Sequence, residues 1–168
     1  IVLLFNMVAE GAGSSGDPST SSSTLENEMT SLSKALVSVT KLNGANFDVW
    51  YAGLLSVLMV GTQLRRILAT ALNTFKEHMD KTLTEIVAAV KVAANLGTDE
   101  TKYKEFNAVL FSIIYGSLSD CVEMVPSKLY GAKKVFGDGV VYLKHLADKF
   151  GPVGGTNQVL LNHNIMIE

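Results

Sequence analysis

Histidine, cysteine and adjacent carboxylates are the side chains of this sequence that could do chemistry, and they are few. The three histidines, His78, His145 and His163, are far apart, and none sits in a His-Glu-x-x-His frame that would put two imidazoles on one helical face for a metal. His78, between Glu77 and Met79, reads as a solvated or salt-bridged side chain, and His145 follows Lys144 on the polar flank of an amphipathic stretch. Cys121 is the only cysteine, which excludes an intrachain disulfide framework and a zinc knuckle. It reads as a small core residue at a helix end. A nucleophile and base could be drawn from Cys121 and His145, but activation needs them about 3 Å apart, and no local spacing supplies that. Asp99 and Glu100 suit the start of a helix better than an acid–base pair.

The glycine clusters fare no better as phosphate cradles. Gly11-Ala12-Gly13, Gly137-Asp138-Gly139 and the run from Gly151 to Gly155 all lack the Gly-Lys-Ser/Thr and the strand–turn–helix setting that make backbone amides converge on phosphate. Basic residues concentrate at Arg65-Arg66 and in the group Lys128, Lys133, Lys134, Lys144 and Lys149. That second group would suit a surface facing RNA inside a particle, although solvation of a helix is the plainer account. The aromatics interleaved with it are Tyr130, Phe136 and Tyr142, so base stacking has little support. A net charge of -2 and a pI of about 5.9 argue against a general nucleic-acid clamp. No catalytic residue, cofactor, metal or small-molecule substrate is expected.

The elements that would position any site are helical. The chain has 168 residues, enough to bury a core, with 48% hydrophobic and 18% charged residues and a mean hydropathy of +0.27. Ordinary soluble domains carry about 25% charged residues. The deficit suggests apolar surface covered by a partner or by copies of the chain itself. No apolar run reaches the ~20 residues a membrane span needs, and residues 1–5 lack the basic flank of a signal peptide. A soluble intracellular protein, as a fragment or processed product, is the default expectation.

Residues 1–24 read as an apolar arm (1–9) followed by a Gly/Ser/Thr-rich flexible linker (10–24). The arm is expected to dock on its own domain or on a neighbour, as an added strand for example, or to be a disordered tail. Residues 25–150 read as the helical domain. A short helix is expected over 25–37 on the stripe Leu25, Met29, Leu32 and Leu36, ahead of an Asn43-Gly44 turn. Asn46 or Asp48 would cap the next helix, which carries Trp50, Leu54, Leu55 and Leu58 and ends near Gly61. Ile67, Leu68 and Leu72 add a helical turn or two. A long stripe of Phe75, Met79, Leu83, Ile86, Val90 and Ala93 follows, with Gly97 as its stop.

Thr98-Asp99-Glu100 caps a helix burying Tyr103, Phe106, Val109, Leu110, Ile113 and Ile114 and breaking at Gly116; residues 117–120 restart a short one. Residues 132–136 begin another helix. Residues 141–150 complete the domain with Leu143, Leu146, Ala147 and Phe150 inward, before the stop at Gly151-Pro152. Residues 151–168 read as an arm or as the start of a truncated second domain. The expected structural core is Trp50, Leu54, Leu58, Phe106, Leu110, Ile113, Phe136, Leu146 and Phe150, with Trp50 buried against the Phe106/Leu110 helix. The fold class is all-α: a compact bundle of five to seven helices with extended N- and C-terminal arms.

Four ordered segments resemble the Gag capsid region of Ty1/Copia-type retrotransposons. Leu42-Asn43-Gly44-x-Asn46-Phe47-x-x-Trp50 resembles its opening, and residues 108–120 (AVLFSIIYGSLSD) resemble its second conserved helix and following turn. Ala132-Lys133-Lys134-Val135-Phe136 resembles its Ala-Lys-Glu-Ala-Trp segment, and Leu143-x-x-Leu146-x-x-x-Phe150 its closing helix. Phe136 departs from the family's Trp, Tyr103 stands where many members carry Trp, and residues 137–140 look like an insertion.

The resemblance implies an all-helical N-terminal capsid domain that self-assembles into a shell packaging retroelement RNA, in cytoplasmic virus-like particles. The partners it implies are further copies of the chain, with RNA held weakly through this stretch and no membrane. The family's second capsid domain is not complete here, and the single cysteine excludes its Cys/His knuckle. Symmetric contacts through modest apolar patches would do the work, with no active site. The alternative is a helical adaptor, or a domesticated Gag-like interaction domain, that forms no shell. A small helical enzyme is the third class, and a buried polar cleft joining Cys121 to a histidine would favour it.

Overall fold

Proline at a first helical position opens the architecture. In the computed structural model, which describes residues 18–119 and 137–152, six α-helices follow one another: α1 (Pro18–Leu36), α2 (Phe47–Met59), α3 (Gln63–Glu77), α4 (Leu83–Ala93), α5 (Glu100–Gly116) and α6 (Gly139–Phe150). The all-α expectation holds for these residues. Residues 18–24 belong to α1, not to a flexible linker as their Ser/Thr composition suggested. Pro18 suits the start because its φ is preset and its missing N–H would have been unpaired there anyway. Ser and Thr are about 0.5 kcal/mol per residue poorer helix formers than Ala, a small penalty for a helix anchored further along by the buried Leu32.

Asn46 stands at the N-cap of α2, yet its side chain does not cap. Its Oδ1 accepts from the Asn43 N–H (2.9 Å) and its Nδ2 donates to the Lys41 carbonyl (3.0 Å), closing the turn that carries Gly44 at φ +90. α2 then buries Phe47, Trp50, Tyr51, Leu54 and Leu58. The expected turn or two around Leu68 is a 15-residue helix, α3, with Leu64, Leu68, Leu72 and Phe75 inward.

The long stripe from Phe75 is not one helix. α3 stops at Glu77, and α4 starts at Leu83 behind a capping box in which Thr82 Oγ1 accepts from the Glu85 N–H (3.4 Å) while the Glu85 carboxylate accepts from the Thr82 N–H (2.9 Å). Phe75 and Ile86 reach the same core from different helices, so the apolar spacing continues straight through the break. Nor does Gly97 stop α4. Asn95 turns the chain at φ +53, its N–H donating to the Val92 carbonyl (3.1 Å) and that of Leu96 to Lys91 (2.9 Å). That is a Schellman stop with Asn in glycine's place and the buried Leu96 behind it.

α5 begins, as expected, at Asp99, whose carboxylate accepts from the Thr101 and Lys102 N–H groups (2.9 and 3.1 Å). After Gly116 the chain does not restart a helix over 117–119. Leu42 pairs with Leu118 in a single parallel bridge, its N–H donating to Ser117 and its carbonyl accepting from Ser119, each at 3.0 Å. The expected helix at 132–136 lies outside the described residues. Asp138 caps α6, so the Gly137-Asp138-Gly139 break is the helix start itself.

α2 packs on α3, α3 on α4 and α5 on α6; α4 also meets α6, and α1 lies against both α2 and α5. One continuous cluster from Leu32 to Ala147 fills the interior. Of the described helices, none is long and apolar enough to cross a membrane.

Candidate functional site

Three segments distant in sequence meet at one buried junction. The turn holding Leu42 brings it beside Leu118, and the indole N–H of Trp50 donates to Ser117 Oγ (2.9 Å), whose hydroxyl donates in turn to the Ile114 carbonyl (2.7 Å). Trp50 and Ser117 are both buried, so the one polar atom of the indole is satisfied inside the core. Trp50 thus meets the C-terminal end of α5. At Gly44 a Cβ would lie 3.3 Å from the Phe150 ring, which brings the end of α6 to the same turn. The neighbouring rings run from Phe47 through Trp50 and Tyr51 to Phe75, with centroids 5.5, 6.0 and 6.5 Å apart in turn.

A second buried polar cluster ties α6 to α5. Asn107 Nδ2 donates to the Asp138 carboxylate (2.6 Å), and its Oδ1 accepts from the Val140 N–H (2.8 Å). Asp138 also accepts from the Val141 N–H (3.1 Å). At Gly139 a Cβ would come within 2.5 Å of the Phe111 backbone nitrogen and 2.8 Å of the Asn107 carbonyl, so only glycine lets the two helices approach this closely. Burial raises the Tyr51 phenol well above its ordinary pKa, and its O–H donates to the Leu72 carbonyl (2.7 Å). Tyr103 is raised first by burial and then by the negative charges of Asp138 and Glu100. The Lys91 ammonium lies 4.5 Å from the centre of the Tyr103 ring and pairs with Glu100 at 2.6 Å.

Trp50, Leu54, Leu58, Phe106, Leu110, Ile113 and Leu146 are all buried, and Phe150 is half-buried at the core's edge; Phe136 lies outside the described residues. The described members of the basic groups lie on two helices, Arg65 and Arg66 on α3 and Lys144 and Lys149 on α6. Arg65 donates to the Val60 carbonyl (3.3 Å) and to Ser31 Oγ (2.8 Å), tying α1 to the start of α3. Lys144 donates to the Met79 carbonyl (3.0 Å) and pairs with Asp148 (2.6 Å), and Lys149 sits 5.3 Å from the centre of the Phe150 ring. Those three side chains are engaged within the fold, a role their sequence clustering did not suggest. Arg66 is exposed, while Lys128, Lys133 and Lys134 lie outside the described residues.

The histidines are equally structural where described. His78 Nδ1 is 2.9 Å from the Thr74 carbonyl at the end of α3, and His145 is half-buried and engaged. Cys121 and His163 lie outside the described residues, among which no three His, Cys, Asp or Glu side chains gather as metal ligands.

Several large apolar side chains of α2 are exposed, as are Val37 and Val92 elsewhere. Val49, Met59 and the adjoining Val60 are 62%, 61% and 73% exposed, and Ala52 and Ser56 lie exposed between them. At about 100° per residue, these positions share one side of the helix with the exposed Asp48, opposite Trp50, Leu54 and Leu58. Asp48 is the only charged residue from 47 to 60, and that absence of charge was the available sequence signal. Ser117 and Asn107 carried no such signal, since each gains its role from a partner far along the chain. No family model, characterised protein or solved structure matches the chain.

Proposed function

We propose that this chain is a structural capsid subunit of the Gag type, which self-assembles into a shell that packages retroelement RNA. The observation that carries the reading is the junction of Leu42, Trp50, Ser117 and Phe150. These residues come from three of the four segments that resemble the Ty1/Copia Gag capsid region, and they gather at one junction, Leu42, Trp50 and Ser117 buried and Phe150 at its edge. A motif set of that kind serves shape, with the outer helix faces left for contacts between copies. The low charge fraction and the exposed apolar residues Val49, Met59 and Val60 of α2 support the same reading. RNA contact falls to Arg66 with Lys128, Lys133 and Lys134, because Arg65, Lys144 and Lys149 have partners within the fold. Particles in the cytoplasm are the location that goes with this function.

The same α2 face favours a second reading, a helical adaptor holding one protein partner. Light scattering with negative-stain imaging, across concentration and salt, separates the two. Uniform shells or defined capsomers are expected; a strict monomer at high concentration refutes assembly by this chain and leaves the adaptor.

A further inference from the structure

Asn43-Gly44 is the one Asn-Gly pair in the chain, and it falls in the exposed turn ahead of α2. Glycine carries no side chain to shield its backbone nitrogen, and Gly44 at φ +90 holds a conformation that other residues rarely adopt. The Asn43 side chain is exposed, and its Oδ1 accepts from the Ala45 N–H at 3.0 Å. That bond fixes which amide atom is the oxygen, and it draws electron density away from Cγ. The Gly44 nitrogen follows Asn43 directly in the chain, so its attack on Cγ closes an unstrained succinimide ring. As that ring closes, negative charge gathers on Oδ1, where the Ala45 N–H already points.

We infer that Asn43 is a site of intramolecular modification: the Gly44 nitrogen displaces its amide, and the product loosens the junction of Leu42, Trp50, Ser117 and Phe150. The bond from Gly44 N to Cγ forms, the Cγ–Nδ2 bond breaks, and the Gly44 N–H proton leaves with the amide as ammonia. Water then opens the succinimide. Its attack at Cγ gives aspartate on an ordinary backbone. Its attack at the Asn43 backbone carbonyl leaves the chain running through Cγ, as isoaspartate with a free α-carboxylate. Water is the only co-reactant, and the chemistry holds whether or not the chain forms shells. Asp138-Gly139, the one Asp-Gly pair in the chain, is differently placed. Gly139 is buried at the start of α6, and the Asp138 carboxylate is held by Asn107 and the Val141 N–H.

The products differ in what they do to the fold. Aspartate keeps an oxygen for the Ala45 N–H. Isoaspartate adds a carbon to the backbone inside a closed turn, where the Asn43 N–H donates to Asn46 Oδ1 (2.9 Å) and Asn46 Nδ2 donates to the Lys41 carbonyl (3.0 Å). Both bonds are set by the present length of that stretch. Leu42, the preceding residue, pairs with Leu118, and a Cβ at Gly44 would lie 3.3 Å from the Phe150 ring, so the added carbon shifts the register of both contacts. Loss of the two Asn46 bonds should lower Tm by about 4–8 °C in a domain of this size.

Peptide mapping by mass spectrometry would follow the full chain in mildly alkaline buffer, both folded and unfolded in guanidinium. Asn43 should turn to aspartate and isoaspartate in the folded protein no more slowly than in the unfolded chain. The isoaspartate fraction should melt lower, and Asn43→Asp should melt as the wild type does. Gly44→Ala should slow the conversion on the order of tenfold or more, by crowding and misplacing the attacking nitrogen. Because that methyl also presses on Phe150, Asn43→Gln is a second control, which keeps an amide but moves the reacting carbon out of reach. A folded protein that keeps its Asn43 amide, or loses it more slowly than the unfolded chain, overturns the site, since the Ala45 bond would then brace the amide. Ammonia lost from Asn43→Gln at the wild-type rate overturns the attack by Gly44. Conversion without isoaspartate, or with isoaspartate and an unchanged Tm, overturns the loosening.

Discussion

Replacing Asn107 with alanine should loosen α6 from the rest of the bundle. The Asn107 amide makes two bonds, one to the Asp138 carboxylate at 2.6 Å and one from the buried Val140 N–H at 2.8 Å. A hydrogen bond to a charged group contributes about 1.5–3 kcal/mol, and a buried donor left unpaired costs about 1–3 kcal/mol. The two losses share one site and do not simply add, so the expected cost is about 3 kcal/mol. Against a typical total stability of about 5–15 kcal/mol that is a large fraction. At about 2–4 °C per kcal/mol for a domain of this size, Tm should fall by about 6–12 °C.

Urea unfolding followed by circular dichroism measures the change as a lower midpoint at unchanged slope. Hydrogen exchange should rise first in α6, whose start at residues 138–140 these bonds hold against α5. Asn107→Asp supplies a second readout. It keeps an acceptor for Val140 but sets two carboxylates together, raising the pair's pKa in the folded state. Its destabilisation should be full at neutral pH and should shrink as pH falls through that raised pKa. A cost under about 1 kcal/mol for Asn107→Ala, against the ~3 kcal/mol worked from those bonds, or an Asn107→Asp defect independent of pH, would refute this account of the junction.

Gly139→Ala should cost about 1–3 kcal/mol by overpacking, seen as a lower melting temperature, because its methyl would strike the α5 backbone at Phe111 and Asn107. Ser117→Ala strips the Trp50 indole of its acceptor and should cost about 1–3 kcal/mol; the Ser117→Ala/Trp50→Phe double variant should lose less than the sum of the singles in urea unfolding. Thr82→Ala should destabilise by about 1 kcal/mol through loss of the α4 cap. Hydrogen bonds from Thr82 hold the Glu85 carboxyl below its ordinary pKa. That contribution is present above the unfolded carboxyl pKa of about 4.3 and is lost as pH falls through the lowered folded value, so the gap between Thr82→Ala and wild type should narrow in acid. Tyr51 and Tyr103, raised by burial, should ionise only on alkaline unfolding, with stability falling as pH rises past the unfolded phenol pKa of about 10. Absorbance near the phenolate band, with Tyr51→Phe as the control, checks this; reversible ionisation of either in the folded protein would contradict it.

Helices were legible from the sequence wherever apolar spacing and a cap agreed. Asp99 ahead of Tyr103 and Phe106 marked α5 correctly, and the one tryptophan marked the buried face of α2. Boundaries failed where the core stayed in phase across a break. Phe75 and Ile86 share the core, so the stripe concealed the stop at Glu77, although Thr82 and Glu85 stood at capping-box spacing in plain view. Residues 18–24 failed the other way, because composition records a preference of tenths of a kcal/mol that a preset proline and an anchored helix override.

The amino-acid order by itself determined the helical class, much of the core-facing residue set and the lack of a local catalytic or metal motif, because those depend on spacing within one helix turn. Only the tertiary structure decided that Trp50 meets Ser117, that Leu42 bridges Leu118, that Asn107 holds the start of α6, and that Arg65 and Lys144 are engaged within the fold. Each of those pairings joins groups tens of residues apart, and their free energy appears only once the packed helices have brought the partners together and excluded water. The exposed side of α2 belongs to the same category. A sequence shows that the stretch from 47 to 60 is nearly uncharged, but packing of Trp50, Leu54 and Leu58 inward is what turns Val49 and Met59 out.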